Sequence, residues 1–274
     1  MMQTAADGLD LSGIEGVVFD LDGTLHNSGI AAPGAVDMIA WLRARGLPFV
    51  FCTQDAEHGE AHIFARLRAA GFDARLEEIV SGGAVLIAYL KARYGDAPIE
   101  AIANEKQLQY FSERGVRFAA PGDKAEALVL LSYNGFSGAD LDRACQAVWS
   151  GADFLTLAFD RSFRMPHGLI PGLGPFVKAV EHVTRKRARA LGKPSREIAE
   201  AALAKLGTTA KATLVVGDTL EADIRMGRNI GARTVLTLSG STSRTDHARA
   251  SAGERPDWVI DDVSALFEAM KVQL

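Results

Sequence analysis

Apolar segments of strand character alternate with helix-length segments at both ends of this chain, and that alternation restricts it to few folds. In the first part a strand at 17–19 precedes a helix at 34–45, a strand at 47–52 and a helix at 60–71. At the other end, REIAEAALAKLG reads as a helix, ATLVVGD as a strand and ADIRMGRNIG as a helix. RTVLTL and DWVIDD follow as strands, before a terminal helix. Strands joined by helices pair in parallel through right-handed crossovers, so both ends fit one doubly wound α/β sheet that the middle of the chain interrupts.

The middle carries its own alternation. PIEAIAN, KAEALVLLS and ADFLTLAF have strand character, while EKQLQYFSERG and SGADLDRACQAVWSG have helical character. The expected organisation is a core formed by 1–81 and 176–274, with a smaller α/β domain inserted at 82–175 between the glycine-rich SGG and PGLGP stretches.

Composition excludes several classes. With 30 Lys+Arg against 34 Asp+Glu, the formal net charge of −4 argues against nucleic-acid binding through a broad positive field. The basic run TRKRARA is short and reads as solvated surface. No apolar stretch approaches a membrane span, and the first residues lack the basic and apolar regions of a signal peptide. Cys52 and Cys145 form no CxxC pair and suggest neither a disulfide framework nor a zinc site, so a cytoplasmic location is the simplest expectation.

The chemistry concentrates at predicted strand ends. GVVFDLDGTL places Asp20 and Asp22 where a strand stops; Thr53 ends the next; Lys193 precedes a helix; and Asp218 and Asp223 follow the strand ATLVVGD. In an open parallel sheet, ligands bind outside the carboxyl ends of the strands, so residues distant in sequence meet there. Asp20 is ionised at neutral pH and can attack phosphorus without a separate base. Asp22 suits the acid that protonates a leaving ester oxygen and then takes a proton from water. A phosphate beside Asp20, Asp218 and Asp223 demands positive charge, which Mg²⁺ on hard oxygen ligands and Lys193 would supply. The Thr53 hydroxyl and nearby backbone N–H groups stand where phosphate oxygens would be held, and Gln54 reads as a phosphate or substrate contact.

VVFDLDGTL, FVFCTQ, GKPS and VVGDTLEADI, in this order and separation, resemble the four motifs of the haloacid dehalogenase (HAD) superfamily of phosphohydrolases. GLIPGLGPFVKAVE, GARTVLTLSG and PDWVIDDVSAL resemble its class IIA branch, which includes p-nitrophenyl phosphatases, nucleotide monophosphatases and phosphoglycolate phosphatases. The resemblance implies a HAD core with a C2-type cap, and a phosphatase that works through an aspartyl-phosphate. It makes Asp20 the nucleophile, Asp22 the general acid/base, and Thr53 and Lys193 the phosphate ligands. Mg²⁺ would be held by Asp20, the Asp22 backbone carbonyl and Asp218, with Asp223 in support. The implied partner is a small phosphorylated metabolite; a monomer and a homodimer paired through the cap stay open.

Two departures stand out. Members of the branch usually follow the motif II threonine with two asparagines, where this chain has Gln54 and Asp55. The cap strand that usually ends in a TNxD-like sequence reads TLAFDRSFRMPHG, keeping Asp160 but carrying Ala158 and Phe159 in place of the polar pair. Because the core motifs meet only the phosphate, selectivity is expected from this cap segment, through Phe159, Asp160, Arg161 and Arg164, with Phe163 and Met165 offering an apolar body. His26, His58, His62 and His167 form no metal set, Cys52 reads as core packing, and Trp41, Trp149 and Trp258 read as core. Two rival functions remain. Halide displacement also begins with an aspartate, but it needs neither Asp22 nor a metal; a non-catalytic binding or regulatory protein could keep the fold and lose turnover through the motif II change.

Overall fold

The computed structural model describes residues 8–120, 123–165 and 168–274, without the side chains of Phe163, Arg164, Met165 and Leu169. In chain order the main strands begin with β1 (Gly16–Asp20), β2 (Phe49–Thr53) and β3 (Ile79–Ser81). Next come β4 (Ile99–Ile102), β5 (Ala127–Leu130), β6 (Asp153–Thr156), β7 (Ser162–Met165), β8 (Gly168–Pro171) and β9 (Arg189–Ala190). The chain closes with β10 (Thr213–Gly217), β11 (Arg233–Thr237) and β12 (Trp258–Ile260). It forms two compact units, one of Met1–Thr53, Glu60–Val80 and Ile198–Leu274, the other of Gln54–Gly59 and Ser81–Glu197.

The first unit is built on a sheet of order β12-β11-β10-β1-β2-β3. β1 pairs in parallel with β10 on one side and β2 on the other. The chain thus grows outward from β1 in one direction, then returns and grows in the other, which makes the gap between β1 and β10 the topological switch point. β1, β2 and β10 are buried at every position, as strands covered on both faces must be. Val17, Phe19, Phe51, Leu214 and Val216 join the helix residues Met38, Ile39 and Leu42 in one apolar cluster.

The second unit has a parallel sheet of order β9-β6-β5-β4. Its central strand shows why ALVLL has no polar gap. Ala127, Val129 and Leu131 pack with Leu86 and Phe111 on one face, whereas Leu128 and Leu130 pack with Ala144, Cys145 and Val148 on the other. Ser137 opens the helix Gly138–Trp149 by accepting the Asp140 N–H, while the Asp140 carboxylate accepts the Ser137 N–H.

The units depart from the sequence expectation at their second boundary. The helix Gly174–Thr184 and β9 belong to the inserted unit, which runs to Glu197 instead of ending at Pro175. The reason is packing. Val177 and Val180 share the apolar cluster of the helix Gly138–Trp149, and Arg189–Ala190 extends the cap sheet beside β6. Trp149, expected in the core, is 56% exposed, while Trp41 and Trp258 pack partly buried against the first unit's core. No helix among the described residues is long and apolar enough to cross a membrane.

Candidate active site

At the switch point the carboxyl ends of β1 and β10 deliver buried acids. Asp20 is the last residue of β1, and Asp218 follows β10 directly. After Asp218 the chain makes a π-helical turn, Leu220–Ile224, before the helix Arg225–Ile230. From sequence that stretch reads as one regular helix. The wider turn, in which the Ile224 N–H reaches back to the Thr219 carbonyl at 3.1 Å, carries Asp223. One carboxylate oxygen from each of Asp20, Asp218 and Asp223 lies within 4.8 Å of the others, and all three residues are buried.

Local chain geometry holds these acids. The Ser241 N–H donates to Asp218 Oδ2, and Thr219 donates to Asp223 Oδ2 from both its N–H, at 3.2 Å, and its hydroxyl. Glycines make room around them. Gly23, at φ 94°, lies where a Cβ would stand 2.5 Å from Asp218 Oδ2. A Cβ on Gly240 would collide with the Asp218 carboxylate, and one on Gly217 with Asp223. Gly217, Thr219, Gly240 and Ser241 have no role assigned from the sequence; their signal is a cluster of glycine and hydroxyl residues at and just beyond the ends of two adjacent strands.

Three carboxylates at this spacing repel one another by roughly 3 kcal/mol per pair at an effective dielectric of about 20. Hard carboxylate oxygens converging on one point are the donor set of a hard divalent cation such as Mg²⁺, and the group fits that ion. Asp223, expected in a supporting place, lies within this carboxylate group.

Asp22 is placed differently. Its carboxylate is 63% exposed, 3.5 Å from His26 Nδ1 and 3.7 Å from an Arg66 guanidinium nitrogen. Burial holds the His26 imidazole below its ordinary pKa, opposed by the Asp22 carboxylate and assisted by Arg66. Thr53 ends β2 and is buried; β2 is beside β1 with Cys52 opposite Asp20, and Cys52 itself is in the core.

In the second unit, Lys193 is 3% exposed and follows β9 in a tight turn. Gln54 does not stand free to meet a phosphate. Its Oε1 accepts the Lys193 N–H at 2.8 Å, and its Nε2 donates to the Lys193 carbonyl at 3.2 Å. Asp55 accepts from the Glu57 and His58 N–H groups and lies 2.9 Å from His58 Nδ1. Of the cap candidates, Phe159 packs against the apolar cluster of the second unit, with Lys178 Nζ 5.0 Å from its ring centroid. The Asp160 and Arg161 carbonyls accept the Gly174 and Gly172 N–H groups, both at 2.9 Å, and the Arg161 side chain is exposed. His167 and the side chains of Phe163, Arg164 and Met165 lie outside the described residues.

The chain is similar to known proteins over most of its length. Residues 17–117 match the haloacid dehalogenase-like hydrolase family, and residues 190–266 match a HAD-hydrolase-like family. Sugar-phosphatase AraL of Bacillus subtilis is 29% identical, over 92% of this chain and 93% of its own. The glycerol phosphate phosphatase of Mycobacterium tuberculosis, solved in complex with magnesium, superposes with a TM-score of 0.81 at 26% identity, covering 99% of this chain and 81% of that one. Human chronophin is 31% identical over 94% of this chain and 93% of its own. Likeness that spans both units, at that identity, settles the family: the chain belongs to the haloacid dehalogenase-like hydrolases, among the capped class IIA phosphatases that cleave phosphoric monoesters.

Proposed function

We propose that the protein is a Mg²⁺-dependent phosphomonoesterase that passes the phosphoryl group of a small phosphorylated metabolite to Asp20 and then to water. The observation that carries this reading is the buried group of Asp20, Asp218 and Asp223 at the switch point of the sheet.

Asp20 is the nucleophile because it stands at the strand end as a carboxylate, with no proton to remove before attack. One of its oxygens bonds to phosphorus while the ester P–O bond breaks. Asp22 gives the departing oxygen its proton, then takes one from a water that attacks the phosphorus and frees inorganic phosphate from Asp20. The exposure of Asp22 suits a group that must exchange protons with solvent between these steps. The order of motifs assigns Thr53 and Lys193 to the non-bridging phosphate oxygens. Asp20, Asp218 and the Asp22 backbone carbonyl would hold Mg²⁺, with Asp223 beside them, and the bound ion would offset the charge of phosphate and carboxylates together.

The substrate class follows from the relatives, which include a sugar-phosphatase and a glycerol phosphate phosphatase. Choice among such substrates falls to the cap segment bearing Phe159, Asp160, Arg161 and Arg164, since the phosphate ligands meet what all of them share. The test is release of inorganic phosphate from p-nitrophenyl phosphate and from a panel of sugar phosphates, nucleotides and small phosphorylated acids, with and without Mg²⁺. Turnover that requires Mg²⁺ supports the reading. Absence of turnover on every member of the panel would leave a binding protein in its place.

A further inference from the structure

Gln54 directly follows Thr53, yet its amide is committed to main chain 139 residues away. Both polar groups of the side chain are used, and both meet the same residue: Oε1 takes the Lys193 N–H at 2.8 Å and Nε2 donates to the Lys193 carbonyl at 3.2 Å. A side-chain amide used in this way imitates a neighbouring strand, gripping the N–H and C=O of one residue together. The surroundings are shaped for it. Gly192 has no side chain where a Cβ would overlap Gln54 Oε1 and stand 2.7 Å from the Leu157 carbonyl. The flanking residues are pinned independently: the Leu191 and Gly192 N–H groups donate to the Thr156 and Leu157 carbonyls, each at 3.0 Å, and Ser195 Oγ donates to the Leu191 carbonyl at 2.8 Å. Those bonds fix the turn on either side of Lys193, and Gln54 fixes Lys193 itself.

We infer that Gln54 is a positioning residue: by clamping the Lys193 backbone it sets the direction in which the Lys193 ammonium is presented, and it does not itself bind phosphate. The inference rests on the reading of Lys193 as the phosphate-binding cation. A lysine carries its charge on a flexible four-carbon stem, so fixing its Cα–Cβ direction removes much of the orientational search the charge would otherwise make. It also gives the motif II departure a physical content. The amide of the residue after the threonine is tied to the turn that carries Lys193.

The test is a double-mutant cycle on the affinity for inorganic phosphate in Mg²⁺, read by calorimetric titration in every variant and also as phosphate inhibition of p-nitrophenyl phosphate hydrolysis in the Gln54 variants. Gln54→Met keeps the length of the side chain and deletes both hydrogen bonds; Gln54→Ala serves the same cycle if the methionine variant does not accumulate as folded protein. The single Gln54 variant is expected to weaken phosphate affinity roughly tenfold, as two modest hydrogen bonds would. Lys193→Met is expected to weaken it by more, through loss of a charge-assisted contact. In the Lys193→Met background the Gln54 substitution is expected to cost nothing further, because the group it positions is gone. An undiminished loss in that background would overturn the inference, since the amide would then act on phosphate or on the fold. Unchanged affinity in the single Gln54 variant would overturn it too. Unchanged phosphate affinity in Lys193→Met is the distinct result that would remove Lys193 from the phosphate site and the inference with it.

Discussion

Gly240 lies so close to Asp218 that a Cβ on the glycine would run into the carboxylate. The neighbouring Ser241 N–H donates to the same Asp218 Oδ2. The turn after β11 therefore acts as a mould for an acid presented by β10, and it can do so only without a side chain at its tip. Gly240→Ala is expected to lower kcat by at least about tenfold and stability by about 1–3 kcal/mol, the usual cost of overpacking a tight site. Far-UV circular dichroism should stay unchanged. A variant with wild-type kcat would show that the Asp218 position does not depend on this turn.

The exposed Asp22 carboxylate bears on leaving groups. Asp22→Asn is expected to slow hydrolysis of a sugar phosphate by about 10²-fold or more, since an alkoxide needs a proton to depart. The phenolate of p-nitrophenyl phosphate needs little help and should lose less than about tenfold. Equal losses on the two substrates, measured as kcat, would take Asp22 out of the acid role.

Glu181 gives a pH-dependent contribution to the stability of the second unit. Burial pushes its carboxyl up, but Lys178, the Ala188 N–H and Arg187 outweigh burial and hold it below the ordinary range. A depressed folded-state pKa stabilises the native protein above the unfolded value, and that stabilisation is lost as pH falls through the folded value. Glu181→Gln is thus expected to cost about 1 kcal/mol at neutral pH and progressively less below about pH 4. Thermal melts of both proteins across that range check it. A difference that grows on acidification would contradict the sign.

The carboxylate group makes a metal prediction. Excess chelator should abolish turnover, added Mg²⁺ should restore it, and Ca²⁺ should restore little, because its larger and looser oxygen shell places the reacting groups less well. Steady-state rates on p-nitrophenyl phosphate decide the point, and full activity in excess chelator would refute it.

Much of this site was legible because a parallel sheet sends its strand ends to one edge. A run of buried β-branched residues ending in Asp20, and another running into Asp218, already implied two acids at the switch point. What could not be read was anything decided by three-dimensional reach. Asp223 was expected beside the other acids, but not the π-helical turn that carries it, since helical periodicity has no sign for the extra residue in that turn. Gln54 looked like a phosphate ligand because it follows Thr53, yet its partner is a backbone 139 residues away. The helix Gly174–Thr184 looked like core because it follows the PGLGP stretch, and its apolar face suits either unit until Val177 and Val180 are seen against Cys145 and Val148.

The central claim is that Asp20 carries the phosphoryl group. Rapid acid quench during turnover of p-nitrophenyl phosphate in Mg²⁺, followed by borohydride reduction and peptide mass mapping, reads this directly, since an acyl phosphate is reduced to an alcohol where an unmodified carboxylate is not. The account predicts reduction of Asp20 to homoserine in the wild type. It predicts no such product in Asp20→Asn, whose turnover should fall on the order of 10⁴-fold or more. Modification of a different residue, or an Asp20→Asn variant that still turns over at a rate near wild type, would contradict it.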